Sequence, residues 1–160
     1  MLIVKGRVIS INISDKKSVR KKPINEAEIV TDFGIKGDAH ASGKWHRQIS
    51  LLALESIKRM QDKGFNVNPG DFAENITTEG IDLVELPIGT PMKIGDVEVE
   101  VSQIGKECHT KCSIYYQAGD CVMPKEGIFV KVIKGGTIKK GDSIEVQILK
   151  ESINGISGNT

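Results

Sequence analysis

Residues 89–101, GTPMKIGDVEVEV, and residues 135–148, GGTIKKGDSIEVQI, are the stretches that decide the fold. Each joins two strand-like segments through a Gly-Asp pair, at Gly95 in the first and at Gly141 in the second. After each pair, apolar residues alternate with polar ones, which is the pattern of a strand with one buried face. Glycine allows a strand to bend sharply, so both stretches predict corners of a small barrel.

The remaining segments fit the same architecture. Residues 2–13 alternate apolar and polar side chains and are rich in β-branched residues, which predicts a further strand. Leu54 to Lys63 carries apolar residues at every third position and precedes Gly64, which predicts a short amphipathic helix with a glycine C-cap. Residues 81–86, IDLVEL, fit one helical turn. We therefore expect a mainly β fold, a small closed or partly open β-barrel with one or two short helices and long functional loops.

Length and composition indicate a single globular domain. Apolar residues make up 39% of the chain and charged residues 27%, which excludes a disordered chain. We expect residues 1–150 to form one barrel domain and the polar residues 151–160, ESINGISGNT, to be a frayed tail.

Charge and hydropathy narrow the class of partner. Lys and Arg number 22 against 21 Asp and Glu, and this net charge of +1 gives no basis for binding nucleic acid or a membrane surface. The N-terminal apolar run ends at Lys5, too short for a signal peptide, and no segment reaches the ~20 apolar residues of a membrane span. The expected location is the cytoplasm, where thiols stay reduced.

All three cysteines lie in one polar segment, GKECHTKCSIYYQAGDC, residues 105–121. Cys108, Cys112 and Cys121, with His109, supply four potential zinc ligands, but adjacent ligands at 108 and 109 strain a tetrahedral site. Burial as small apolar side chains is the second interpretation. The third is a reactive thiol, because neighbouring lysines favour the thiolate.

Two further segments are rich in glycine and polar side chains. Residues 34–50, GIKGDAHASGKWHRQIS, combine cations with three glycines, which suits a phosphate or another oxyanion. The alternatives are that its histidines are structural and that Trp45 belongs to the core. The basic run between Lys16 and Lys22 is interpreted as a solvated loop or, alternatively, as a basic rim for an anion. In residues 68–80, NPGDFAENITTEG, the Asn75 amide suits the polar edge of a heterocycle.

Three segments, taken in order, resemble the MOSC domain, the C-terminal domain of molybdenum cofactor sulfurases. They are the glycine-rich residues 34–50, called here the glycine loop, then NPGDFAENITTEGIDLVELPIGTPMKIG, then VSQIGKECHTKCSIYYQAGDCVMPKEGIFVKVIKGG. The resemblance runs from about Val4 to Val146 and suggests a small stand-alone bacterial member. It implies a barrel-like protein that binds the molybdenum cofactor (molybdopterin) or handles its sulfur. The family cysteine matches Cys112, which is expected to carry a persulfide or to ligate molybdenum, with Cys108 and His109 beside it in the reaction.

The resemblance also implies which side chains bind the cofactor. They are Gly37, Asp38, His40, Lys44 and Arg47 in the glycine loop, Gly70, Asp71, Phe72 and Asn75 in the GDFAEN loop, and Lys106 and Lys111 in the cysteine segment.

Some positions depart from the family pattern. Relatives often have Arg and Pro before the cysteine, where this chain has KECHTKC, so Lys106 or Lys111 would have to replace that Arg. Ala73 stands where glycine is common. Cys108 and Cys121 are not general family features, so resolving thiols, sulfur relays and soft ligands all remain open for them.

The expected function is a sulfur carrier in molybdenum cofactor sulfuration or delivery. No pyridoxal phosphate site is identifiable in this chain, so sulfur would come from a partner cysteine desulfurase, and cofactor biosynthesis and acceptor proteins are the other expected partners. One alternative is a molybdenum oxidoreductase that reduces N-hydroxylated compounds with Cys112 as metal ligand. The other is a zinc-stabilised binding module.

Overall fold

The computed structural model describes residues 2–17, 19–105 and 126–148, and the account below concerns these residues. Their strands are β1 (Leu2–Ile13), β2 (Lys22–Ile24), β3 (Glu26–Val30), β4 (Gly34–Ile35), β5 (Ile49–Ala53), β6 (Ile76–Glu79), β7 (Pro91–Ile94), β8 (Val97–Ile104), β9 (Ile128–Lys134), β10 (Gly136–Lys139) and β11 (Ser143–Ile148). The described helices are α1 (Leu54–Asp62) and a 3₁₀ turn at Leu83–Glu85.

Seven of the described strands close into a barrel in the order β1-β6-β5-β9-β8-β7-β11, and β11 pairs with β1 to complete the ring. The closing pair is antiparallel and runs from Leu2 opposite Ile148 to Arg7 opposite Ser143. The β5–β6 pair is parallel. A closed barrel leaves no unpaired sheet edge within the ring, and the predicted mainly β barrel is confirmed in its closed form.

The barrel interior is filled by the inward-facing aliphatic side chains. Ile49, Leu51, Val99, Val130 and Val146 are all fully or almost fully buried in one cluster. A small second sheet, in the order β10-β3-β4, adds its own apolar residues to this cluster. The core therefore extends from the barrel lumen to the covering sheet.

A second apolar cluster lies on the outside of β5 and β9. Helix α1 contributes Ile57 and Met60, which pack with Leu52, Phe72 and Phe129. β5 is consequently buried on both faces. Phe72 and Ala73 of the GDFAEN loop belong to the cluster on its outward face. The helix ends before Gly64, whose φ is 95°, as the amphipathic pattern predicts.

Both Gly-Asp corners are confirmed. The first joins β7 to β8, which pair antiparallel from Ile94 opposite Val97. The second joins β10 to β11, and these strands lie in different sheets. The chain therefore leaves the covering sheet at Gly141 and enters the barrel wall. The expected frayed tail, residues 151–160, lies outside the described residues.

Candidate functional site

The glycine loop is fixed near its start by a buried ion pair. Lys21 Nζ donates to Asp38 Oδ1 at 2.7 Å, and neither side chain is more than 1% exposed. The same carboxylate accepts the backbone N–H groups of Ser14 and His40. Lys21 belongs to the basic run interpreted as a solvated loop, and for this residue that interpretation is wrong because Asp38 compensates its buried charge.

Two opposing effects set the protonation of Asp38. Burial by itself raises the pKa of the carboxyl, but the hydrogen bond and charge of Lys21, together with the two backbone N–H donors, outweigh burial and lower the pKa below its ordinary value. Asp38 is therefore an anion that organises the loop.

His40 belongs to the same cluster. Its Nδ1 lies 3.1 Å from Lys21 Nζ, which also donates to Ser14 Oγ at 2.9 Å. A lysine ammonium has donors only, so His40 Nδ1 is the acceptor in this contact and the ring proton is on Nε2. Gly37 has φ 91°, and a Cβ added there would meet no atom within 4 Å, so this glycine borders open space beside the cluster.

A second cationic cluster lies at the end of the loop. Arg47 Nε donates to Gln103 Oε1 at 2.8 Å, and His46 Nε2 lies 2.7 Å from the same oxygen. The Arg47 guanidinium also lies over Trp45, at 5.2 Å, and Phe129, at 5.4 Å. These contacts fix the guanidinium by one edge and one face, which leaves its terminal nitrogens without a bonded acceptor in the described part of the chain.

Trp45 is 37% exposed, so the alternative that it is a core residue is wrong. Lys17 Nζ lies 5.3 Å from its ring centroid, within cation–π range. Lys44 is exposed beside it. The basic run and the glycine loop thus contribute cations to one surface around Trp45, which favours the basic-rim interpretation for Lys17.

The GDFAEN loop joins the site through the basic run. Lys21 N donates to Gly70 O at 2.8 Å, and Arg20 pairs with Asp71 at 3.3 Å. A Cβ at Gly70 would lie 2.4 Å from Lys21 O, so a larger residue would separate the two segments. Ala73 has φ 63°, the left-handed conformation that glycine favours, at the position where the resemblance leads us to expect glycine.

Asn75 and Phe72 are placed inside the protein. Asn75 is fully buried: its Oδ1 accepts from Ser50 N at 2.9 Å, and its Nδ2 donates to Asn12 O at 3.2 Å. Phe72 is 2% exposed and packs under α1. The partners of both side chains are protein groups, so the observed role of both is to hold the loop against the barrel.

Glu74, beside Asn75, is a buried carboxyl with incomplete hydrogen bonding. Its Oε2 accepts from Gly70 N at 3.0 Å and from Thr77 Oγ1 at 2.7 Å, whereas Oε1 has no partner within the described residues. Burial raises the pKa of Glu74 to about 7, against a smaller lowering by its hydrogen bonds.

The described residues also locate the two ends of the cysteine segment. Gly105 N donates to Gly127 O at 2.7 Å, between the ends of β8 and β9. Gln103, which binds His46 and Arg47, also donates to Gly105 O at 2.9 Å. The cysteine segment therefore begins directly beside the second cationic cluster. The expected functional residues Cys108, His109, Cys112, Lys106 and Lys111 lie outside the described residues.

A cavity of about 540 Å³ lies between α1 and the 3₁₀ turn. Glu55, Asp82 and Glu126 line it together with Arg59, which pairs with Glu126. None of the residues of the cationic surface around Trp45 lines this cavity, and its excess of carboxylates repels an oxyanion.

The sequence does not single out Lys21, Gln48, Glu74 or Gln103 as site residues. Gln48 is buried and holds the glycine loop through Trp45 O, Ser42 O and Asp32 Oδ1. Gln103 is visible only as part of the VSQI stretch that precedes the cysteines. The sequence carries no local signal for the roles of Lys21 and Gln103, because their partners Asp38 and Arg47 lie 17 and 56 positions away. Gln48 and Glu74 bond in part to residues three or four positions away, but nothing in the pattern indicates that their side chains are buried.

Within the three described ranges, no three His, Cys, Asp or Glu side chains are grouped to hold a metal ion, so a zinc site would have to use the cysteine segment. Among the same residues, no helix has the length and apolar character needed to cross a membrane.

The described residues form a closed β-barrel on which the basic run and the glycine loop contribute cations to one surface. The MOSC domain family model matches residues 38–145, and the chain belongs to this family. No curated protein matches it. Among solved structures, the YuaD protein from Bacillus subtilis superposes with a TM-score of 0.76 at 19% identity, covering 93% of this chain and 99% of YuaD.

Two YiiM structures are also similar. YiiM from Escherichia coli has a TM-score of 0.66 at 18% identity, over 90% of this chain and 70% of YiiM. YiiM from Geobacillus stearothermophilus has a TM-score of 0.67 at 19% identity, over 89% of this chain and 75% of YiiM. At these identities the similarity establishes the shared fold.

Proposed function

We propose that this MOSC protein binds the molybdenum cofactor at the cationic surface around Trp45 and that Cys112 carries sulfur to or from it as a persulfide. The observation that carries the proposal is the contact of Gln103 with His46, Arg47 and the backbone of Gly105. It brings the oxyanion-binding cations next to the start of the segment that contains all the cysteines.

The residues at this surface fit the anionic part of the cofactor. Arg47 presents its terminal nitrogens, and Lys17, Lys44 and His46 add donors and positive charge around an exposed aromatic ring. His40 lies at the other end of the loop, beside the Lys21–Asp38 pair. When bound, the cofactor supplies the molybdenum centre whose sulfur ligand is exchanged, and this chain's cations hold and orient its phosphate.

Sulfur transfer to Cys112 requires a partner cysteine desulfurase, whose own cysteine carries the persulfide. The Cys112 thiolate attacks the outer sulfur of that persulfide, the S–S bond breaks, and the desulfurase cysteine leaves as a thiolate. Cys112 then holds one additional sulfur, with no net redox change. Lys111, next to Cys112 in sequence, and Lys106, six positions before it, favour the thiolate that this attack needs. We place this exchange, and the later transfer to cofactor biosynthesis or acceptor proteins, in the cytoplasm.

The test is to incubate the protein with a cysteine desulfurase and cysteine and then to determine its intact mass. We expect one additional sulfur on the wild type and on Cys121→Ser, and none on Cys112→Ser. Sulfur that remains on Cys112→Ser and disappears from Cys108→Ser would reassign the carrier cysteine. Absence of added sulfur from every protein would contradict the carrier function.

Metal analysis of protein purified from its native host distinguishes the alternatives. If the protein is a carrier, it binds molybdenum cofactor, and the Cys112→Ser variant keeps the wild-type affinity for the cofactor. The oxidoreductase alternative requires Cys112 as permanent metal ligand, so Cys112→Ser would lose molybdenum. Stoichiometric zinc whose chelation unfolds the domain would instead establish the zinc-stabilised module.

A further inference from the structure

His46 is attached to β8 both by its backbone and by its side chain. Ser102 Oγ donates to His46 O, and His46 Nε2 lies 2.7 Å from Gln103 Oε1. The same oxygen accepts from Arg47 Nε at 2.8 Å, and the Gln103 Nε2 donates to Gly105 O at 2.9 Å. The exposed imidazole therefore has a defined orientation next to the Arg47 side chain.

These contacts determine which ring nitrogen of His46 carries the proton. An arginine side chain has donors only, so the Gln103 atom that faces both Arg47 and His46 is the amide oxygen. This oxygen accepts, so the His46 nitrogen that faces it, Nε2, must carry a hydrogen. In the neutral imidazole the other nitrogen, Nδ1, is then an acceptor, and within the described residues it has no bonded partner.

The tautomer decides how His46 can interact with an anion. An oxyanion accepts hydrogen bonds, so it gains nothing from the lone pair that Nδ1 of the neutral ring presents. The imidazolium instead presents an Nδ1–H donor and a positive charge. An anion within hydrogen-bonding reach also favours the charged form of an imidazole over the neutral form. Oxyanion binding and protonation of Nδ1 therefore reinforce each other.

The other groups at this surface do not change charge near neutrality. The glycine loop contributes Arg47 and Lys44, and the basic run contributes Lys17. Lysine and arginine side chains stay cationic between about pH 6 and pH 8, whereas an imidazole changes charge in this range. β8 presents a serine and a glutamine, and β9 a phenylalanine, none of which ionises. His46 is thus the titrating side chain of this surface among the described residues.

We propose that His46 binds an oxyanion as the imidazolium, so that anion binding beside Arg47 is coupled to protonation of His46 Nδ1. The inference rests on the proposed function, because it specifies the charge of the ligand at that same surface. Guanidinium and imidazolium together supply two positive charges, which match the two negative charges of a phosphate monoester. The proton comes from solvent, and no covalent bond to the ligand forms.

The experiment uses inorganic sulfate, a dianion whose own charge is constant from pH 6 to pH 8. NMR titrations at constant ionic strength give its Kd at each pH. In the wild type we expect the affinity to fall about tenfold across this range, because a charge-assisted hydrogen bond is lost. In His46→Gln, which stays neutral, we expect the affinity at pH 6 to be about tenfold below the wild type and nearly constant up to pH 8.

Nitrogen NMR of the imidazole reads the tautomer directly. At pH 8 without sulfate we expect the Nε2–H form of His46, identified by its absence from His46→Gln. At pH 7 saturating sulfate should increase the fraction of the ring with both nitrogens protonated. Neither observation depends on activity, so each tests the inference without the loaded cofactor.

Gln103→Glu distinguishes this coupling from a general loss of structure. The carboxylate faces His46 Nε2 and favours the imidazolium, so the midpoint of the fall in affinity should move up by about one pH unit. Overall sulfate affinity should decrease, because the added charge opposes the anion. Glu74→Gln is the control for the buried carboxyl whose pKa is raised to about 7, and it should keep the wild-type pH profile.

Three results would overturn the inference. They are a wild-type sulfate affinity that does not change with pH, an Nδ1–H tautomer at pH 8, and a profile that flattens in Glu74→Gln and not in His46→Gln. Sulfate binding that is independent of pH but lost in Arg47→Ala would still support the cationic surface. Absence of sulfate binding at every pH would contradict both the surface and the inference, whereas persulfide loading, which needs no sulfate, decides the carrier function separately.

Discussion

At the scale of single residues, two buried carboxyls of opposite character hold the loops of the site. Asp38 has a full set of donors and faces Lys21, so burial is compensated and the charged form is favoured. Glu74 has an oxygen without a partner among the described residues and no cation bonded to it there, so burial favours its protonated form. The two groups therefore respond to pH in opposite directions.

Substitution of Asp38 by Asn should destabilise the protein by about 3 kcal/mol at pH 7, because the Lys21 charge is left buried without compensation. Asp71→Asn removes a more exposed partner of Arg20 and should cost no more than about 1 kcal/mol. Urea unfolding of both variants provides the comparison. Equal, small losses would mean that the Lys21–Asp38 pair does not organise the loop.

The lowered pKa of Asp38 also makes stability depend on pH. The stabilising effect of the Asp38 carboxylate is complete above the ordinary pKa of 3.8 and is lost as pH falls through the lower folded-state pKa.

The raised pKa of Glu74 predicts that the free energy of unfolding falls with rising pH up to and through neutrality. The folded state binds the proton more tightly than the unfolded chain, with a pKa of about 7 against 4.5. The stabilising contribution is therefore fully present below pH 4.5 and is lost as pH rises through 7. The loss amounts to about 3 kcal/mol.

Glu74→Gln stays neutral at every pH and retains an acceptor for Gly70 N and Thr77. Measured from pH 5 to pH 8, its free energy of unfolding should fall less than that of the wild type. Glu85→Gln, at an exposed position, serves as control and should follow the wild type. A Glu74→Gln curve parallel to the wild type would show that the carboxyl ionises normally.

At the scale of elements, two loops that both contain glycine have different roles. The glycine loop presents cations outward, whereas the GDFAEN loop uses its polar side chains to tie β1, β5 and β6 together. The two roles can be tested separately, because ligand affinity and the free energy of unfolding are measured independently.

Arg47→Ala should weaken phosphate or cofactor binding by about 1.5–3 kcal/mol, the value of a charge-assisted hydrogen bond. Arg7→Ala is the matched control, since Arg7 is an exposed partner of Glu79 on β1. Titration calorimetry with phosphate measures the difference. An unchanged affinity accompanied by a lower melting temperature would make Arg47 structural.

Asn75→Ala should have the opposite profile. It leaves Ser50 N without its side-chain acceptor in a fully buried position, and we expect a loss of about 2–3 kcal/mol in the free energy of unfolding. Phosphate affinity of the folded fraction should stay within about twofold of the wild type, as a purely structural role implies. A large loss of affinity with normal stability would instead place Asn75 in contact with the ligand.

The elements themselves are largely predictable, and the contacts between them are not. β1, α1 and the β7–β8 hairpin follow from periodicity and from Gly-Asp corners, which are local signals. The burial of Lys21 depends on Asp38, 17 positions away, and the docking of Arg47 depends on Gln103, 56 positions away. Such pairings exist only once the barrel has closed. The sequence could place Arg47 in a cationic loop, but it could not identify what orients the guanidinium.

At the scale of the whole molecule, stability depends on ring closure by β11. This strand pairs with β1 on one side and β7 on the other, and its register with β1 ends at Ile148. A chain ending after Lys140 lacks the strand, and we expect it not to fold. A chain ending after Lys150 retains the strand and should unfold at the same temperature as the full protein, if residues 151–160 contribute nothing to the domain. Circular dichroism melting of both truncations is the measurement, and a lower transition for the longer one would extend the domain into the tail.

The hydrogen bond between Gly105 and Gly127 has a consequence for how this protein can change during evolution. Gly105 and Gly127 flank the interval 106–125 and bond to each other just beyond the last β8–β9 pair, Ile104 opposite Ile128, so residues outside the interval close this ladder. Shortening twenty residues to a turn of four would change the free energy of loop closure by only about 1.4 kcal/mol. Insertions, deletions and exchanges of reactive side chains can therefore accumulate there while the scaffold stays under separate selection. On the proposed function, the carrier chemistry and the barrel can then evolve as two nearly independent units.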